Sequence, residues 1–180
     1  MAEQVSRRHY HQQQFHKAAT TTRSRFQHFQ HHHEFDILQM TSDDLASRLS
    51  QGYLPTIVVD TRDNIISSDG QVQAQVRGAL FCPAPCFHSD HIRFLIEKAK
   101  ERKRVCNTGI SNHKCCVVFY DKSSTRRSTK CATRFWQTVR QCGGTNEITV
   151  KVLRGGAKSW FRSFGKNHRL VQDFAFDEKR

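Results

Sequence analysis

The residues best placed to do chemistry lie at the end of one apolar run. Cys115-Cys116-Val117-Val118-Phe119-Tyr120 has the β-branched and aromatic pattern of a buried strand. It stops at a polar loop, Asp121-Lys122-Ser123-Ser124-Thr125-Arg126-Arg127. Cys131, Ala132, Phe135, Trp136 and Val139 then recur at helical spacing. A strand–loop–helix aims backbone N–H groups and the positive end of a helix dipole into the loop, a place suited to an anion or a nucleophile. Here the strand ends on Tyr120 and Asp121, and no cysteine or serine stands there. A carboxylate in such a loop accepts the N–H bonds itself and repels a second anion.

Other chemistry-bearing groups give weaker signals. Cys131 falls on the packed face of the following helix and reads as a small buried hydrophobe. Cys82-x-x-x-Cys86 has no second Cys/His pair at finger-like spacing, so no metal site is expected, and no cofactor. The His31-His32-His33 run reads as a solvated polar tract. Lys100, Arg102, Lys103 and Arg104 form a basic cluster at the exit of a helix, where positive charge suits the dipole. That cluster is the candidate surface for a partner.

The elements that position these groups alternate between strand and helix. Residues 1–36, rich in His, Gln and Arg, lack the apolar surface to offset ordering and are expected to be a disordered tail. Thr41 caps a short helix with acidic residues in its first turn, ending at Gln51-Gly52. Thr56-Ile57-Val58-Val59-Asp60 reads as a strand buried on both faces. Asp69-Gly70 is a turn signal. Val76, Ala79 and Leu80 suggest a second, shorter strand ending at Pro83. A helix from Ser89 carries Ile92, Leu95, Ile96 and Ala99 on one face. Ile148, Val150 and Val152 alternate in a last strand, followed by a turn at Gly155-Gly156 and a helix from Ala157 to Phe164 with Trp160 and Phe161. From Lys166 onward a flexible tail is expected. This order argues for one α/β domain at residues 37–165, with a mostly parallel central sheet and helices on both faces. In such sheets ligands bind at the carboxyl ends of strands, which points to the loops after Asp60 and Tyr120.

A length of 180 residues allows one domain with tails. The net charge of +13 and a pI near 9.8 imply attraction to acidic partners: nucleic acid, an anionic membrane or an acidic protein patch. No run reaches the ~20 apolar residues of a membrane span. Seven cysteines, an odd number, and no visible signal peptide lead to the expectation of a reduced setting in the cytoplasm or nucleus.

Three segments together resemble the rhodanese-like domain. Asp60-Thr61-Arg62 is similar to its D-x-R signature. Gly78-Ala79-Leu80-Phe81-Cys82-Pro83 resembles its G-A-x-x-x-P segment. Leu153-Arg154-Gly155-Gly156-Ala157-Lys158-Ser159-Trp160 resembles its L-x-G-G-x-x-x-W element. They occur in the family's order and bracket the central strand. The resemblance implies that Asp60 and Arg62 tie loops together, that Gly155-Gly156 makes a tight turn and that Trp160 plugs a core edge. It also implies a nucleophilic cysteine just after the central strand in sulfurtransferases, and in C-x5-R in the dual-specificity phosphatases of the same fold. Here the spacing is kept by Asp121 with Arg127, or Tyr120 with Arg126, and the thiol is missing. The Tyr-Asp ending is similar to that of the non-catalytic rhodanese-like domain of MAP kinase phosphatases, which docks its kinase through a basic cluster followed by apolar residues. That implies a pseudoenzyme module binding a protein partner such as a MAP kinase, through Lys100, Arg102, Lys103 and Arg104 with Val105 and Ile110. One alternative is a sulfurtransferase or phosphatase-related enzyme using a displaced cysteine such as Cys131. Another is a non-specific nucleic-acid binder, with Arg126, Arg127, Lys130, Arg134, Arg140, Lys151, Arg154, Lys158 and Arg162 adding to the cluster.

Overall fold

The computed structural model describes residues 37–66, 73–106 and 113–172. The chain divides into two units, Met1–Asp36 and Ile37–Arg180. The first unit, the Asp69-Gly70 turn, Ile110, and the tail beyond Gln172 lie outside the described residues. The second unit runs in the order β1 (Gln39–Met40), α1 (Ser42–Gln51), β2 (Thr56–Asp60), β3 (Gln75–Val76), β4 (Leu80–Phe81), α2 (Ser89–Cys106), β5 (Cys115–Tyr120), α3 (Arg127–Gln141), β6 (Ile148–Leu153), α4 (Gly156–Phe164) and β7 (Val171–Gln172).

Five strands make one parallel sheet in the order β1-β6-β5-β2-β4. β5 is central because all six of its residues can be buried: none carries a charge, and each face of the strand has a helical layer to pack against. Cys115, Val117 and Phe119 enter one core with Leu95, Ile96 and Ala99 of α2 and Cys131, Ala132, Phe135 and Val139 of α3. Phe119 makes an edge contact with Phe87 and a tilted one with Phe135, at 5.7 and 5.5 Å between ring centroids. Cys116, Val118 and Tyr120 enter the other core, with Leu45 and Ala46 of α1 and Ala157 and Trp160 of α4. Burial on both faces explains the continuous apolar runs of β2 and β5.

Local signals place the helix ends as expected. The Asp44 N–H donates to the Thr41 hydroxyl at 3.1 Å, and α1 stops at Gly52 with φ 64°. Two expectations need correction. The stretch from Val76 to Pro83 is not one strand: a turn at Arg77-Gly78, with Gly78 at φ 74°, separates β3 from β4. β4 joins the main sheet beside β2, and β3 pairs instead with β7, antiparallel. The domain therefore does not end at residue 165. Leu170 and Val171 are buried in the α1/α4 core, so the fold runs to Gln172.

Candidate functional site

The loop after β5 is built around Asp121, which is 2% exposed. Its Oδ1 accepts the N–H groups of Ser123 and Ser124 at 2.8 and 2.5 Å. Its Oδ2 accepts the Ser128 N–H at 3.2 Å, in the first turn of α3, which has no capping side chain at Arg126. Asp121 is thus both the floor of the loop and the cap of α3. Ser124 adopts φ 55°, a left-handed conformation that turns its N–H inward. Burial acts to raise the Asp121 pKa, but the bonds from Ser123, Ser124 and Ser128, with Arg127 nearby, outweigh it and hold the carboxyl below its usual range. The group remains an anion, in the place where the fold would otherwise present donors to a bound one.

α4 holds this loop from outside. The Ala157 N–H donates to the Asp121 carbonyl at 2.9 Å and the Lys158 N–H to the Lys122 carbonyl at 3.1 Å. Gly156 has φ 57°, and a Cβ there would collide with the Asp121 carbonyl and meet the Ser123 and Ser124 nitrogens at 2.9 Å. The paired glycines let α4 start against the loop, as the resemblance implied for Gly155 and Gly156.

The loop after β2 is tied separately. Arg62 donates to Asp60 through Nε at 3.0 Å and Nη2 at 2.6 Å, both groups being buried. It also reaches the Gln73 side chain and the Ala74 carbonyl at 3.2 and 3.1 Å. Gln75 and the Tyr120 hydroxyl complete the shell of Asp60 at 3.1 and 2.8 Å. Burial and the neighbouring Asp60 charge raise the Tyr120 pKa, so its hydroxyl stays a proton donor. Tyr120 belongs to this network on the α1/α4 side of the sheet and takes no part in the loop floor, which corrects its assignment to the loop. Trp160 plugs the same core, fully buried and 4.9 Å from Phe164. Ala79 sits against this core, and Pro83 precedes a short turn at Ala84–Cys86.

The remaining candidates are dispersed. Lys122, Thr125 and Arg126 are exposed, and Ser123 bonds Thr125 through their hydroxyls at 3.2 Å. Arg127 pairs with Asp63, linking the loops after β5 and β2. Its guanidinium bonds that carboxylate, and its charge still helps to hold the Asp121 carboxyl ionised. Cys131 is 5% exposed, and burial pushes its thiol up to about 11. Burial raises the Cys82 thiol as well. Neither is an ionised nucleophile at neutral pH. The basic cluster on α2 is split by helical geometry. Lys100 pairs with Glu97 at 3.1 Å and Lys103 with Glu147 at 3.7 Å. Arg102 turns to another side, where it lines a groove of about 470 Å³ with Leu49, Ile57, Leu80 and Val105. Arg104 is exposed. Among the described residues no group of His, Cys, Asp and Glu is arranged to hold a metal, and no helix is long and apolar enough to cross a membrane.

Sequence reasoning did not single out Ser123, Ser124 and Ser128 as the donors that hold Asp121, nor Gln75 as a partner of Asp60. The signal for Gln75 was a polar residue beside Val76 in a strand; for the serines there was none beyond their place in the loop.

No protein-family model matches the sequence, and no curated protein matches it. Solved structures do. A structure of Ygr203w from Saccharomyces cerevisiae, described as a homolog of single-domain rhodanese and the Cdc25 phosphatase catalytic domain, superposes with a TM-score of 0.62 at 18% identity, over 79% of this chain and 91% of that one. A second structure of Ygr203w, described as a yeast protein tyrosine phosphatase of the rhodanese family, gives 0.63 at 17% identity over 82% and 100%. The As-Sb reductase from Leishmania major gives 0.55 at 19% identity over 74% and 82%. With its parallel five-stranded sheet and helices on both faces, and with these superpositions, the chain folds as a single rhodanese-like α/β domain.

Proposed function

We propose that this domain is a catalytically inactive rhodanese-like module that binds an acidic protein partner, in the cytoplasm or nucleus. The observation that supports it is the Asp121 carboxylate, bonded by the loop's own N–H groups. An anion already occupies that site, both of its oxygens accept the loop's N–H bonds, and a carboxylate has no sulfur on which a persulfide or thiophosphate could form. The acidic docking face of a MAP kinase is the partner the resemblance suggests. Arg102 and Val105, the latter 62% exposed, offer a cationic and apolar pair at the end of α2 for such a surface. Lys100 and Lys103 are less suited, since each already has a carboxylate partner.

The test has two parts. Thiosulfate:cyanide and aryl-phosphate turnover by the purified protein are expected to stay at background. Turnover that thiol alkylation abolishes would overturn the inactive reading in favour of a displaced cysteine. A recombinant MAP kinase is expected to capture the domain, and R102E/R104E to reduce that capture at least tenfold. Equal capture by the variant would remove this face from the proposal.

A further inference from the structure

A second site lies beside the filled loop. Thr41, Ser42 and Asp43 at the start of α1, Ser123 of the loop, Arg154 and Gly155 just before α4, and Lys158, Ser159, Arg162 and Ser163 along it line a cleft of about 490 Å³. Its cations are Arg154, Lys158 and Arg162; its one carboxylate is Asp43. Lys158 and Arg162 stand at i and i+4 on the exposed face of α4, and Ser159 and Ser163 form a parallel row. The opposite face buries Ala157 and Trp160, which fixes the direction of the polar one.

Some cations elsewhere on the domain are neutralised by a carboxylate, while others, such as Arg102 and Arg104, have no ion pair among the described residues. Arg62, Arg93, Lys98, Lys100, Lys103 and Arg127 each have a carboxylate within 4 Å. The side chains of Arg154, Lys158 and Arg162 have no hydrogen bond or ion pair among the described residues. Two like charges one helical turn apart repel, and a cation in the first turn of α4 opposes the helix dipole. A bound anion would relieve both. Hydroxyl groups line the cleft between the cations: Ser42 donates to Ser159 at 3.3 Å, and Ser163 is exposed.

We infer that this cleft binds a phosphorylated side chain of a protein partner, the phosphoryl group lying among Arg154, Lys158 and Arg162 with serine hydroxyls as further donors. A phosphomonoester supplies close to two negative charges and three acceptor oxygens, which match a cluster of cations and O–H donors better than a single carboxylate does. No aromatic ring lines the cleft, so it has no platform on which a nucleobase could stack. Asp43 on the wall disfavours extended polyanions and leaves room for one compact charge. This assignment rests on the protein-binding reading above, but it uses a different face from Arg102.

The experiment is a titration of the ¹⁵N-labelled protein with a phosphoserine-containing peptide, the same peptide unphosphorylated, inorganic phosphate, and a short single-stranded oligonucleotide. Saturable amide shifts at Ser42, Ser123 and Arg154–Ser163 are expected with the phosphopeptide alone at low concentration, with affinity at least tenfold above inorganic phosphate. R154A/K158A/R162A is expected to weaken binding at least tenfold, and K98A/R102A/R104A to change it less than twofold. Binding of the unphosphorylated peptide or the oligonucleotide as tightly, phosphate as good as the peptide, or equal losses in the two triple variants would each overturn the assignment. Unchanged tryptophan fluorescence, from Trp136 and Trp160 together, and an unchanged denaturation midpoint establish that the variants fold. Loss of kinase capture by R102E/R104E with phosphopeptide binding intact, or the converse, tells the two proposals apart.

Discussion

At the end of β5, three backbone donors converge on a carboxylate supplied by the chain itself; a few residues away along α4, three cations face a cleft with no carboxylate bonded to them. The two regions share Ser123 on their border, and α4 is the wall of both. In the first, the fold's tendency to collect N–H groups at a strand end is satisfied internally, and the result is stability. In the second, the cations have no carboxylate partner among the described residues, and that is the basis of the proposed binding site. The difference teaches that neighbouring groups of donors can be treated in opposite ways within one fold: the loop is closed by one of its own residues, while the helix face beside it is the one on which the proposed anion site rests.

That contrast predicts a graded set of effects. The largest belong to the buried side of α4. Trp160→Ala is expected to cost about 3–5 kcal/mol, read by chemical denaturation, because it empties a fully buried position in the α1/α4 core. Gly156→Ala should approach the same range, since the added methyl meets the Asp121 carbonyl with a backbone at positive φ. A loss under about 1 kcal/mol would mean that α4 does not brace the loop. Asp121→Ala comes next, at about 2 kcal/mol, from loss of the α3 cap and of the acceptor for Ser123 and Ser124.

The pH dependence sharpens the same point. The Asp121 pKa is depressed in the folded protein. Its stabilising contribution is therefore fully present above the unfolded value of about 3.9 and is lost as pH falls through the lower folded value. Wild type should lose stability across that acid window, and Asp121→Asn should show a flatter profile over it. Identical profiles would mean that the carboxylate is not held by those donors. Asp121→Cys offers a complementary reading. A thiol among the same N–H groups should ionise below its ordinary value of about 8.5, seen as fast alkylation at neutral pH, whereas Cys131 should react slowly. The smallest effects belong to the open face. Lys158→Ala and Arg162→Ala should each change stability by no more than about 0.5 kcal/mol, with any gain coming from relief of their mutual repulsion.

Much of the fold was legible because physical constraints leave local marks. β2 and β5 show unbroken apolar runs because both faces are covered. Gly155-Gly156 and Trp160 show because a positive φ at a close approach admits few residues besides glycine, and because a large ring needs a core edge. The role of Asp121 as an acceptor followed from its place at a strand end before a helix. Tyr120 was misjudged although the alternation of Cys116, Val118 and Tyr120 already puts it on the opposite side from Phe119. The split of the α2 cluster follows in the same way from the 100° step of a helix. β7 was not legible: Leu170-Val171 is an apolar pair in a polar stretch, too short to show a period, and its partner β3 lies far back in the chain.

The sequence by itself determined the layers, the motif turns and the missing thiol, because each depends on residue type at short range. Only the tertiary structure decided which cations are spoken for. Lys103 meets Glu147 and Arg127 meets Asp63 across large separations in sequence, while Arg154, Lys158 and Arg162 meet no such partner among the described residues. Charge balance is a long-range property of the folded surface, and composition records only its sum.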